Sequence, residues 1–149
     1  MTSQRDRQLR QLQDTLGYRW NDWQLLAQAL RHPSCPVDRI LSNQRMEFIG
    51  DSVIDLAVGV ELMRRWPDRN EGFLTDHRTA LVNEEALAIR GRALNLHRIV
   101  QIQLRGAHLR LLDSTAAQCM EAIVGSAFID SGWDFDVAMT VVRNAGVIR

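Results

Sequence analysis

The segment from Gln44 to Trp66 constrains this chain more than any other. Its apolar residues Val53, Ile54, Leu56, Ala57, Val58, Val60, Leu62 and Met63 recur at helical spacing and cover nearly the whole circumference of a helix. A helix that is apolar on all sides has to be surrounded, so this pattern predicts a central helix with the rest of the chain packed about it. Pro67 opposes continuation beyond Trp66. The remaining segments carry the same period. Leu9, Leu12 and Leu16 share one face and lead into Gly17, which stands where a C-terminal cap belongs. Asn21 stands at the N-cap of a second helix that buries Trp23, Leu26, Ala27 and Leu30 and stops at Pro33. Residues 32–41, with Pro33 and Pro36, read as a loop. Further helices are expected over 71–82, 83–94, 115–130 and 135–144. No alternating segment flanked by NG or DG suggests a hairpin. With neither a Ser/Gly-rich linker nor an internal repeat, residues 1–149 are expected to form one all-α domain.

Composition narrows the function classes. The N-terminus alternates charge with leucine and lacks the apolar core of a signal peptide. No stretch approaches the ~18 uninterrupted apolar residues of a membrane span. The expectation is therefore no membrane association and a cytoplasmic protein, or one of an organelle matrix in a eukaryotic cell. Cys35 and Cys119 lack CxxC spacing and read as packed, reduced thiols, and the four histidines never fall at the HxxxH spacing of a helical metal site. Formal net charge is zero, which argues against binding nucleic acid through overall basicity. The distribution is less even. All 18 basic residues are arginine, and residues 86–112 hold Arg90, Arg92, Arg98, Arg105 and Arg110 without one Asp or Glu. The guanidinium fork suits phosphate, so this segment reads either as a phosphate-facing surface or as a solvated helical face.

The expected central helix begins with acids. Glu47, Asp51 and Asp55 are spaced i, i+4 and i+8 and form one stripe. Two carboxylates about 5.5 Å apart at an effective dielectric near 20 repel by roughly 3 kcal/mol. Either the acids face water or something positive sits between them. A second strongly apolar helix, 115–130, carries Glu121 near its start. Two such helices, if they meet, make an all-oxygen site that favours Mg²⁺ or Mn²⁺ over zinc.

These residues bear a family resemblance. QRMEFIGDSVI, residues 44–54, resembles the ribonuclease III signature of an acid followed by Arg, Leu, Glu, Phe, Leu, Gly, Asp and a small residue. LGYRWNDWQLLAQALRH, residues 16–32, resembles the family's opening segment; WPDRNEGFLTDHRTALV, residues 66–82, its next helical pair; and CMEAIVGSAFID, residues 119–130, its closing catalytic helix. The resemblance spans about residues 9–145. It implies an all-α endonuclease fold that forms a homodimer and places an acidic site along a valley for double-stranded RNA. Glu47, Asp51 and Glu121 match three of four core metal-site acids, and Glu71 matches a secondary acid further out. In the family these bind Mg²⁺, with Mn²⁺ as a substitute; the ion activates water to attack a phosphodiester and stabilises the departing 3′ oxygen, leaving 5′-phosphate and 3′-hydroxyl ends. Phe48, beside the acids, corresponds to a dimer-interface residue.

The resemblance has departures. Gln118 stands at the fourth core acid, Gln44 replaces the acid that opens the signature, and QLRGAHLRLLDST replaces a Gly- and Lys-containing loop. The double-stranded-RNA-binding module that many members append is absent from the sequence, as in the short Mini-III members, and a partner protein supplying RNA binding is a corresponding expectation. Gln118 reads in two ways: as the Gln of a Thr115-x-x-Gln118 capping box, or as a neutral oxygen offered to the metal. Two functions follow. One is a metal-dependent endoribonuclease; the alternative is a catalytically impaired relative that binds RNA or serves as a structural subunit of an RNA–protein assembly.

Overall fold

The computed structural model describes residues 2–103 and 109–148, with the side chains of 109–112 excepted. Among these residues the chain forms α1 (Gln4–Leu16), α2 (Trp23–Ala29), α3 (Gln44–Arg65), α4 (Glu71–Val82), α5 (Glu84–Ala93), α6 (Leu96–Ile99), α7 (Leu109–Asp130) and α8 (Phe135–Asn144), with a 3-10 turn at Arg39–Leu41. The described residues include no strand, only an isolated parallel bridge between Arg31 and Gln101. The all-α class follows from the sequence periods. No helix of the described residues is long and apolar enough to cross a membrane.

Local chemistry sets most of the helix ends. Ser3 and Asp6 close a reciprocal capping box at the start of α1, and Gly17 ends that helix at φ 67°. The N-cap of α2 is Asp22 rather than Asn21. The Asp130 carboxylate accepts the backbone N–H of both Asn21 and Asp22, which pins this segment and leaves the Asp22 side chain to accept from Gln24 N–H. The start of α7 differs more. It begins at Leu109, six residues before Thr115, and Thr115 is buried within the helix at 1% exposure. The Thr115-x-x-Gln118 capping box is therefore overturned, because a helical interior position has no free N–H for either side chain to cap. Asp113, Ser114 and Thr115 favour caps and turns by themselves, but the Arg92–Asp113 ion pair and the packing of Ala116 on Gly91 of α5 hold them in the helix.

The centre of the fold is α7. Ala116, Cys119, Met120, Ala122, Ile123, Val124 and Ala127 are all fully buried. Helix α3 packs against it and against α4 and α8, burying Met46, Val53, Ile54, Ala57, Val58 and Leu62. The expectation that α3 is surrounded on all sides is corrected: Phe48, Leu56 and Met63 are 78%, 56% and 65% exposed. Its neighbours leave one side of the helix open, and the apolar residues on that side have no cover in a single copy.

The contact of α3 with α7 is made by backbone. A Cβ on Gly50 would lie 1.7 Å from the Glu121 carbonyl oxygen, and one on Gly125 would lie 2.1 Å from the Met46 carbonyl oxygen. Only two facing glycines permit this approach. Gly125→Ala is accordingly expected to force the helices apart at a cost of about 3 kcal/mol or more, lowering the melting temperature by roughly 6–12 °C. Thermal unfolding of the variant beside the wild type checks this.

Candidate active site

The glycine contact determines which acids meet. Glu47 and Asp51 flank Gly50 on α3, Asp55 follows one turn later, and Glu121 belongs to the contact itself on α7. Asp51 is exposed, while Glu47, Asp55 and Glu121 are half-buried. Each half-buried acid holds its proton more tightly than usual. Burial pushes the Glu121 carboxyl up to about 8, reinforced by the charges of Asp51, Glu47 and Asp55 and by Glu84 at the start of α5. Burial and then Asp51 raise Glu47. Burial and Asp51 also raise Asp55, with Arg78 opposing them. The two acid-bearing helices, which the sequence could only place separately, thus form one electrostatic unit.

None of these four acids makes an ion pair among the described residues. The nearby Cys119 thiol is fully buried, and burial followed by the charge of Glu47 pushes it up to about 12, so it stays neutral. What remains is a set of oxygen donors with excess negative charge, the donor chemistry suited to a hard divalent cation. The set is not closed on a point. Among the described residues no three of His, Cys, Asp or Glu stand close enough to hold an ion as they are. Mutual repulsion favours splayed carboxylates until a cation draws them in.

Other sequence-derived candidates lie at varying distances from this unit. Gln118 is half-buried on α7, one turn before Glu121. Glu71 is exposed at the start of α4, where its Oε1 accepts from Thr75 Oγ1 at 2.7 Å. It borders a groove of about 360 Å³ with Asp55, Leu56, Met63, Leu74 and Arg78. Phe48 borders a second groove of about 490 Å³ with Ile49, Ile129 and Trp133. Of the arginines, Arg92 pairs with Asp113, Arg90 lies over Gly146, and Arg98 is exposed beside Gln8 and Gln11 of α1. These three open onto separate clefts. Arg105 and the Arg110 side chain lie outside the described residues. Sequence reasoning carried Asp55 in the acidic stripe but not into the site, although its i+4 spacing was the available signal. Glu84 had no such signal, since only the packing of α5 on α7 brings it near Glu121.

Comparison with known proteins identifies the family. Residues 22–146 match the family model described as ribonuclease-III-like. The chain belongs to the ribonuclease III family. It is 42% identical over 125 residues to ribonuclease 3 of Xanthomonas oryzae pv. oryzae, covering 81% of this chain and 53% of that protein. Ribonuclease 3 of Actinobacillus pleuropneumoniae is 36% identical over 134 residues, covering 88% and 58%. The chain thus spans about half the length of the curated relatives it matches. Among solved structures, the ribonuclease III nuclease domain from Campylobacter jejuni superposes with a TM-score of 0.82 at 32% identity, covering 92% of this chain and 94% of that one. That domain is described as structurally flexible in a region involved in dimer formation.

The raised carboxyl of Glu121 gives a stability signature. An acid that binds its proton more tightly when folded destabilises the fold as pH rises; the penalty is absent below about 4.5, grows towards 8 and then levels off. Glu121→Gln is expected to match the wild type at pH 4.5 in EDTA and to exceed it by about 2 kcal/mol at pH 9, allowing for solvent screening. Urea unfolding at the two pH values reads the difference.

Proposed function

We propose that this chain is a divalent-metal-dependent endoribonuclease that cleaves double-stranded RNA to 5′-phosphate and 3′-hydroxyl ends, with Glu47, Asp51 and Glu121 as its catalytic acids. The observation that carries this reading is the meeting of α3 and α7 acids at a glycine contact, with no ion pair to any of them among the described residues. Glu47, Asp51 and Glu121 would hold Mg²⁺, or Mn²⁺ in its place, with Gln118 offering a neutral amide oxygen. When bound, the ion supplies positive charge for the phosphate and lowers the pKa of an attacking water. The chain's own contribution is orientation and charge. The helix contact fixes the spacing of the acids, and Glu121 gives up the proton that it holds up to about 8. Glu71 serves as a secondary acid further out. Arg90, Arg92, Arg98, Arg105 and Arg110 would supply phosphate contacts; Arg98 is exposed and without an ion pair among the described residues, whereas Arg92 must first leave Asp113. A partner protein or a further segment supplies additional RNA binding.

Gln118 favours a second reading, an impaired nuclease that acts by binding RNA. One carboxylate fewer leaves a divalent ion less well balanced. Incubation of a long RNA duplex with Mg²⁺ or Mn²⁺ separates the two. EDTA-sensitive cleavage by the wild type, lost in Glu121→Ala and Asp51→Asn, supports the enzyme. Gln118→Asp is then expected to lower the Mg²⁺ concentration for half-maximal rate by several-fold. Cleavage by Gln118→Asp alone would identify a disabled nuclease, and cleavage by neither would sink the catalytic reading.

The same reading includes a homodimer. Phe48, Leu56 and Met63 are the exposed apolar residues of α3, and twofold pairing is the usual cover for such a surface. Phe48→Glu is expected to shift the protein from dimer to monomer at micromolar concentration, with far-UV circular dichroism unchanged. A wild type that scatters light as a monomer would count against the pairing.

A further inference from the structure

Asn43 sits at the start of α3 with its side chain wholly buried. Neither Oδ1 nor Nδ2 has an oxygen or nitrogen partner among the described residues, and the side chain does not cap the helix. A buried amide with unmade hydrogen bonds is costly, and leucine, of similar size, would fill such a place without that cost. Nor can the amide readily turn outward. The backbone is pinned on both sides, Asn43 N–H donating to Arg31 O at 2.9 Å and Asn43 O accepting from Glu47 N–H at 2.8 Å. Ser42, its neighbour, is also fully buried. Helix formation therefore leaves this amide unexplained.

Its surroundings belong to the acidic unit. Asn43 and Glu47 are one turn apart and share a face. The Cys119 thiol of α7 interacts with both of them and lies between Gln118 and Glu121 in sequence. The sulfur is a weak acceptor and engages at most one of the two Nδ2 hydrogens, which leaves the other N–H and Oδ1 unpaired. One amide N–H is thus left unpaired one helical turn from an acid that has no donor of its own among the described residues.

We propose that Asn43 is a positioning residue for Glu47: its Nδ2 donates to the Glu47 carboxylate when that side chain turns in towards Glu121 to hold a divalent cation. This rests on the metal-site reading above. On this reading the amide N–H that is unpaired in the ion-free arrangement acquires its partner when the site closes. Outer donors of this kind orient a ligand and typically change metal affinity about 10–100-fold.

The test uses the whole chain and Mn²⁺ as probe, with bound ion followed by electron paramagnetic resonance and stability by melting in EDTA. Asn43→Leu is expected to melt no lower than the wild type yet to bind Mn²⁺ about tenfold more weakly. A structural residue would move both in the same direction. Asn43→Ala, which removes the amide without adding bulk, is expected to show the same weakened binding should the leucine pack badly. In a Glu47→Gln background Asn43→Leu should add no further loss, since the two residues act through one carboxylate. Wild-type affinity in either folded variant, or an undiminished loss in the Glu47→Gln background, overturns the inference while leaving the metal reading intact. Absence of Mn²⁺ uptake by the wild type overturns the metal reading and this inference with it.

Discussion

The backbone contact between α3 and α7 is the constraint on which the rest depends. Gly50 and Gly125 let two helices approach until a carbonyl of each occupies the place of the other's missing side chain. That closeness aligns Glu47, Asp51 and Asp55 with Glu121, and it also produces the repulsion that raises Glu121. Packing around α7, whose inner face is fully buried, offsets that repulsion. A fold that places its strongest packing next to its least favourable electrostatics conforms to the general pattern that local rules are broken where a protein does chemistry.

Charge is arranged to the same end. The chain is neutral overall, so its arginines could in principle have balanced every acid. Instead Arg143 and Arg65 serve Glu61, Arg19 serves Asp14, and Arg92 serves Asp113. The acids around Glu121 are left without such a partner among the described residues. Neutrality of composition thus conceals a segregated surface, which is why net charge was a poor guide to whether the protein meets a cation or a polyanion.

Much of this was legible in the sequence, and the failures have physical reasons. Gly17 marked the end of α1 because a left-handed cap leaves few alternatives. The register of Glu47, Asp51 and Asp55 could be read because it is internal to one helix. The start of α7 could not: Asp113, Ser114 and Thr115 carry cap-forming side chains, and only tertiary contacts with Arg92 and Gly91 override them. The open face of α3 was hidden for a different reason. Leu56 and Met63 look alike in a sequence whether they are bound for a core or for a surface. Asn43 was invisible because an asparagine before a helix is ordinarily a cap, and its lack of partners exists only in three dimensions.

The clamp around Asp130 has a consequence for how such a chain is made. The last residue of α7 accepts the Tyr18 hydroxyl at 2.6 Å and the N–H groups of Asn21 and Asp22, while Trp20 Nε1 donates to Ser126 Oγ at 2.7 Å. The segment between α1 and α2 therefore finds its partners more than 100 residues later. During vectorial synthesis residues 18–22 emerge long before these partners exist, so their hydrogen bonds form only once α7 has cleared the ribosome. Closure of the segment between α1 and α2 is thus a non-local event, completed together with the helix that carries Glu121, and it ties the start of the chain to the arrival of that acid.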